Sequence, residues 1–144
     1  MIKSLKKYDP DKILERMTQI IIEYSKHKEK YDDDTIADLR ANLSTGSYIF
    51  VETNLAPAYE DMVEATCEYE KKDAECFKRV FDELKSQGNS PSLSSDLARK
   101  VYKMDPEYIE AFKIYTVTKN TIYLSDKLLT QANQVLNSMG KRNR

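Results

Sequence analysis

Between residues 55 and 84, Leu55, Tyr59, Met62, Thr66, Tyr69, Asp73, Cys76, Val80 and Leu84 follow one another at steps of three and four. Only an α-helix gathers such positions onto one face, so this run predicts a helix from about Ala58 to about Gln87. Val63, Phe77 and Phe81 widen the stripe, and Asp73 forms one polar layer within it. This is the spacing of a coiled coil or a helical hairpin. Gly88 suits the left-handed position that closes a helix.

The remaining segments follow the same period. Asp9 is a good N-cap with Pro10 at the first helical position, and Ile13, Leu14, Met17, Ile20, Ile21 and Tyr24 then share a face up to about Tyr31. Asp32-Asp33-Asp34 favours the next helix start, and Ile36, Leu39, Leu43, Phe50 and Val51 continue it to about Glu52. Ser44-Thr45-Gly46-Ser47 predicts a bend or fraying inside that helix. Pro57 predicts a kink or a restart, because it cannot donate to the carbonyl four residues back. The sequence leaves open whether residues 44–57 are one bent helix or two.

Asn89-Ser90-Pro91-Ser92 reads as a turn. A short helix with Leu93, Leu97, Val101 and Met104 on its apolar face follows, capped by Ser92 or Ser94. Asp105-Pro106 repeats the Asp-Pro start and opens a last helix to about Met139, ended by Gly140. Its thin stripe is Ala111, Tyr115, Thr118, Ile122, Ser125, Leu129, Ala132, Leu136 and Met139. The expected fold is all-α: a long antiparallel helical hairpin with additional shorter helices and coiled-coil-like packing. It is read as a single helical domain over 1–144: an N-terminal helix (1–31), a long kinked helix or helix pair (32–88), C-terminal helices (93–140) and a basic tail (141–144). Two helices of roughly 45 Å leave apolar stripe uncovered, which predicts a homo-oligomer.

Composition removes other classes. With 3 Gly and 4 Pro in 144 residues, the chain lacks the turns of a β-sandwich or barrel. No stretch approaches the length of a membrane-spanning helix or a signal-peptide core, so a soluble, cytoplasmic protein is expected. His27 is the one histidine, and it lies in a charged run. Cys67 and Cys76 lack zinc-ligand spacing, and Gly46, Gly88 and Gly140 are isolated rather than grouped in a phosphate loop. No nucleophile–base–acid set is readable, so the chain is expected to be a non-enzyme without cofactor or metal.

Charge is uneven. Residues 1–31 carry 8 basic and 5 acidic groups, residues 32–92 carry 6 and 14, and residues 93–144 carry 9 and 5. An acidic middle between basic ends suits self-association through opposite charges or a separated basic surface for an anionic polymer. The basic groupings are Lys3, Lys6 and Lys7 beside Tyr8; Lys71, Lys72, Lys78 and Arg79; and Lys141, Arg142 and Arg144. Lysine and arginine hold phosphates while aromatic faces stack on bases in single-stranded nucleic-acid binding. Tyr59, Tyr69 and Tyr115 fall on predicted seams; Tyr8, Tyr31, Tyr48 and Tyr123 do not.

The run Glu75-Cys76-Phe77-Lys78-Arg79-Val80-Phe81-Asp82, the Gly88 turn, a Ser/Asp/Arg/Lys segment and the ending Val135-Leu136-Asn137-Ser138-Met139-Gly140-Lys141-Arg142 together resemble the phage recombination-mediator family of the UvsY type. The resemblance spans about residues 34–142. It implies a small all-helical oligomer that loads a RecA-like recombinase onto single-stranded DNA in place of the single-strand-binding protein, in the host cytoplasm. That family carries a basic–any–basic–Leu–Asp run before its turn, implicated in DNA binding; here Lys78 and Arg79 are adjacent. The implied DNA contacts are Lys78 and Arg79 first, then Lys71, Lys72, Lys141, Arg142 and Arg144. The same helices and acidic middle also suit a phage or virion structural, scaffolding or adaptor protein with protein as its only partner.

Overall fold

The computed structural model describes residues 10–142, the side chains of residues 10, 11 and 142 excepted. The expected Asp9 cap, Lys3, Lys6, Lys7, Tyr8 and Arg144 lie outside these residues. Among the described residues there is no strand, and the fold is all-α. The helices are α1 (Pro10–His27), α2 (Asp33–Phe50), α3 (Ala56–Ser86), α4 (Pro91–Val101) and α5 (Pro106–Arg142), with 3₁₀ turns at Lys28–Lys30 and Tyr102–Met104. No helix is long and apolar enough to cross a membrane, among the described residues. The chain divides into two compact units: the described parts of Met1–Ala58 and Ile122–Arg144, and Tyr59–Thr121.

In the first unit three helical segments share one core. Met17, Ile20 and Tyr24 of α1 meet Ile36, Leu43 and Phe50 of α2 and Ala132, Val135 and Met139 of α5. All nine are buried. The α2 start is capped as its charge predicts: Asp32 accepts from the Thr35 N–H at 2.7 Å, which satisfies one orphan donor of the first turn. Tyr24 and Ser138 join α1 to α5 through their hydroxyls, 3.0 Å apart.

The expected break at Ser44–Ser47 is absent, and α2 runs through Gly46. Gly46 is there for space: a Cβ on it would stand 3.1 Å from Met17 Cγ. The irregularity falls at Val51–Leu55 instead, a π turn in which the Ala56 N–H reaches back to the Val51 carbonyl. Residues 44–57 are thus continuously helical, without a loop. Pro57 has no N–H for the Thr53 carbonyl, and the wider π turn just before it takes up the mismatch. Gly140 does not end α5, which continues to Arg142. A Cβ at Gly140 would lie 3.0 Å from Arg40 Nη2, the far end of an exposed, flexible side chain.

In the second unit the α3 seam packs on α5 through aromatic rings. Tyr69 stacks on Tyr115 with ring centres 4.9 Å apart and touches Phe112 and Tyr108 at 5.6 and 5.8 Å. Tyr102 stands edge-on to Phe77 and Tyr108, and its hydroxyl donates to Asp73 at 2.8 Å. The polar layer at Asp73 is therefore satisfied. At the far end of α3, Gly88 adopts φ +93°, the left-handed closure its position predicts.

The short helix differs from expectation. Ser90 caps α4, accepting from the Leu93 N–H at 3.2 Å, with Pro91 in its first turn. Ser92 and Ser94 are not its caps. The buried face of α4 is Ser94 and Ala98, whereas Leu93, Val101 and Met104 are exposed. Leu97, the fourth residue of the expected face, is half-buried. Asp105 caps α5 by accepting from the Glu107 N–H at 2.9 Å, as its Asp-Pro pair predicts.

Two outcomes follow from this packing. Gly46→Val adds a Cβ and two methyls against Met17 and is expected to lower unfolding stability by about 1–3 kcal/mol, measured by urea denaturation. Ser94→Ala acts in the opposite direction. The Ser94 hydroxyl is buried with no hydrogen-bond partner among the described residues, so its removal is expected to raise stability by about 1 kcal/mol in the same assay.

Candidate nucleic-acid interface

α3 changes charge along its length. Residues 56–70 carry Glu60, Asp61, Glu64, Glu68 and Glu70 and no basic residue, whereas residues 71–86 carry Lys71, Lys72, Lys78, Arg79 and Lys85 among four acids. Four of the basic residues expected to hold phosphate, Lys71, Lys72, Lys78 and Arg79, therefore sit in the C-terminal half of one helix. The structure separates them into two kinds.

Lys72 and Arg79 hold carboxylates. Lys72 Nζ lies 3.3 Å from both Glu75 Oε2 and Glu107 Oε2. Arg79 spans the start of α5, with Nη1 2.9 Å from Asp105 Oδ2 and Nη2 3.0 Å from Glu107 Oε2. Each charge is stabilised by its partners. Hydrogen bonds to Glu75 and then Glu107 raise the Lys72 ammonium, and the Glu107 bond raises the Arg79 guanidinium. Arg79 and then Lys72 pull the Glu107 carboxyl down. The sequence points both cations to phosphate because their α5 partners stand about thirty residues away; for Lys72 the i,i+3 partner Glu75 is a local signal that it is engaged.

Lys71 and Lys78 are exposed and make no ion pair among the described residues. Seven residues apart, they occupy the same side of α3, and Lys85 extends the row by another seven. Lys85 Nζ also lies 5.9 Å from the centre of the Phe81 ring. Lys141 is exposed in the last turn of α5, in the first unit. Arg142 is helical, its side chain outside the described residues, and Arg144 lies beyond them. A further exposed basic group, Arg99, Lys100 and Lys103 around the end of α4, was not singled out from the sequence. Its signal was present: basic residues crowd the last turn of a helix, where they face orphan carbonyls.

The tyrosines divide in the same way. Tyr69 and Tyr115 lie on a packed seam as expected, but Tyr59 is 49% exposed. Tyr31 packs against the first core, while Tyr48 and Tyr123 are mostly exposed.

Cys76 is fully buried beside the same ion pairs, its Sγ within 4.8 Å of carboxylate oxygens of Asp105 and Glu107. Burial, and then the Asp105 charge, push its thiol up. Both carboxylates already hold Arg79, and Glu107 also holds Lys72, so the cluster acts as a charged clasp on the start of α5.

The aromatic layer gives this region a pH signature. Burial, and then the Asp73 hydrogen bond, push the Tyr102 hydroxyl from about 10 up to about 12; burial and Tyr69 also raise Tyr108. The unfolded chain ionises these groups near pH 10 while the folded protein still holds their protons. Their contribution is therefore complete below pH 10 and lost as the pH rises toward 12. Urea unfolding of wild type and Tyr102→Phe at pH 9, 10 and 11 is expected to show the steeper alkaline fall in wild type.

Comparison with protein-family models, with curated proteins and with solved structures finds no match.

Proposed function

We propose that this chain is a phage-type recombination mediator that binds single-stranded DNA and helps a RecA-like recombinase replace the single-strand-binding protein. The observation that carries the reading is the exposed row Lys71–Lys78–Lys85 on the C-terminal half of α3. It sets three exposed cations along one side of the helix, where each can neutralise a phosphate. Lys141, Arg142 and Arg144 add a second basic group. Lys72 and Arg79, also among the proposed contacts, then act mainly by holding the helix that carries the row. The reading includes a cytoplasmic homo-oligomer without cofactor or covalent chemistry, its long helices paired antiparallel with coiled-coil-like packing. The opposite run of residue numbers across the seam, Tyr69 on Tyr115 and then Arg79 on Asp105, supports the antiparallel pairing.

A second reading is a phage or virion structural, scaffolding or adaptor protein. It is favoured by large apolar side chains left exposed on α5, including Val117 at 57% and Leu124 at 62%. Such side chains suit a protein partner better than a phosphate backbone.

Fluorescence anisotropy of labelled oligo-dT at several salt concentrations separates the two. Steeply salt-dependent binding supports the mediator reading. Lys71→Ala/Lys78→Ala is expected to reduce the slope of log affinity against log salt by about 1.4, two contacts at roughly 0.7 each. No binding at low salt, or an unchanged slope in the double variant, overturns that reading.

A further inference from the structure

We propose that the acidic half of α3, with the facing turns of α5, forms a groove that receives the basic segment 1–8 of a second copy of this chain. The groove lies wholly within the second unit. It consists of two adjoining depressions of about 350 and 390 Å³ that share Glu68 and Ile114 in their walls. From Asp61 to Lys72 it follows α3 for roughly 16 Å.

Its chemistry is specific. Ala65 and Ala111 are buried small residues of the lining, which allow a chain to approach closely, and Ile114, which lines both depressions, is 49% exposed. Asp61, Glu64, Glu68 and Glu110 surround it and make no ion pair among the described residues. Glu107, the fifth carboxylate, already holds Lys72 and Arg79. Asp61, Glu64 and Glu68 stand three and four residues apart on one helix, so they repel one another. A cationic partner with apolar side chains relieves that repulsion and covers Ile114; a phosphate backbone does neither.

The chain carries a segment of that description. Residues 1–8 contain Lys3, Lys6 and Lys7 and no carboxylate, with Ile2, Leu5 and Tyr8 at every third position. Three ammonium groups meet four unpaired carboxylates, and each copy supplies one segment and one groove. This interaction is independent of DNA, which is assigned to the lysine row further along α3.

The test is the association of the full chain, by analytical ultracentrifugation over concentration and salt. Self-association that weakens with salt is expected. Lys3→Glu/Lys6→Glu/Lys7→Glu and, separately, Glu64→Lys/Glu68→Lys are each expected to weaken it at least about tenfold, and combining the two sets to restore it. A labelled peptide of residues 1–8 is expected to bind the full-length wild type and not the Glu64→Lys/Glu68→Lys protein. Circular dichroism checks that each variant folds; if the groove variant does not, the lysine variant and the peptide still decide. A protein monomeric at every concentration, association indifferent to both reversals, or a combination that fails to restore it overturns the proposal. Oligo-dT anisotropy on the same variants reads the DNA function separately, so either idea can fail alone.

Discussion

The start of α5 is held by opposite charge, and the second unit depends on where that clasp places it. Asp105 caps the helix through the Glu107 N–H and receives Arg79 from α3 on its other oxygen. Glu107, two residues on, receives Arg79 and Lys72 together. Exposed ion pairs contribute little energy, so the clasp is not what makes the contact favourable. Its effect is register. With Asp105 opposite Arg79, Tyr108, Phe112 and Tyr115 come to Tyr69 and Tyr102, and the apolar burial of those rings supplies the energy. Sliding α5 by one turn would break the clasp and misplace every ring.

The first unit solves a different problem with small residues. A three-helix core needs backbones close enough for Met17, Leu43 and Met139 to fill the centre without voids. Gly46 under Met17 and Ala132 in the core provide that closeness. Glycine in a helix interior costs conformational entropy. At Gly46 the cost is offset by a contact that a larger residue would obstruct.

Periodicity made the helices and much of their buried faces legible. The α5 stripe from Ala111 to Met139 is the buried or half-buried face, because spacing alone decides which side a long helix turns inward. What escaped were features set by distant neighbours. Ser44–Ser47 looked like a break on propensity, yet tertiary packing overrode a local preference of about 1 kcal/mol. On α4 the large apolar residues suggested one face, while the residues buried are Ser94 and Ala98. Lys72 and Arg79 were legible as cations. Their partners on α5 were not, since nothing in the sequence near residue 79 points to residue 105. The basic row itself was only partly visible: Lys71 and Lys78 stood out, while Lys85 joined them through the geometry of the helix.

The charge order of α3 is not explained by its fold. A helix dipole favours acids at the N-terminus, but its effect fades within the first turn, and α3 continues directly from a π turn rather than beginning at a free end. Glu60 and Glu64, or Glu64 and Glu68, are like charges one turn apart and weaken the helix that carries them. None of these three is in an ion pair among the described residues, whereas both cations near the α5 start are fully engaged. Charges that secure the structure thus have partners within it, and those concentrated at residues 60–70 do not. Their repulsion persists in the folded chain and falls only when a cation arrives, which makes this half of α3 a surface whose energy improves on binding.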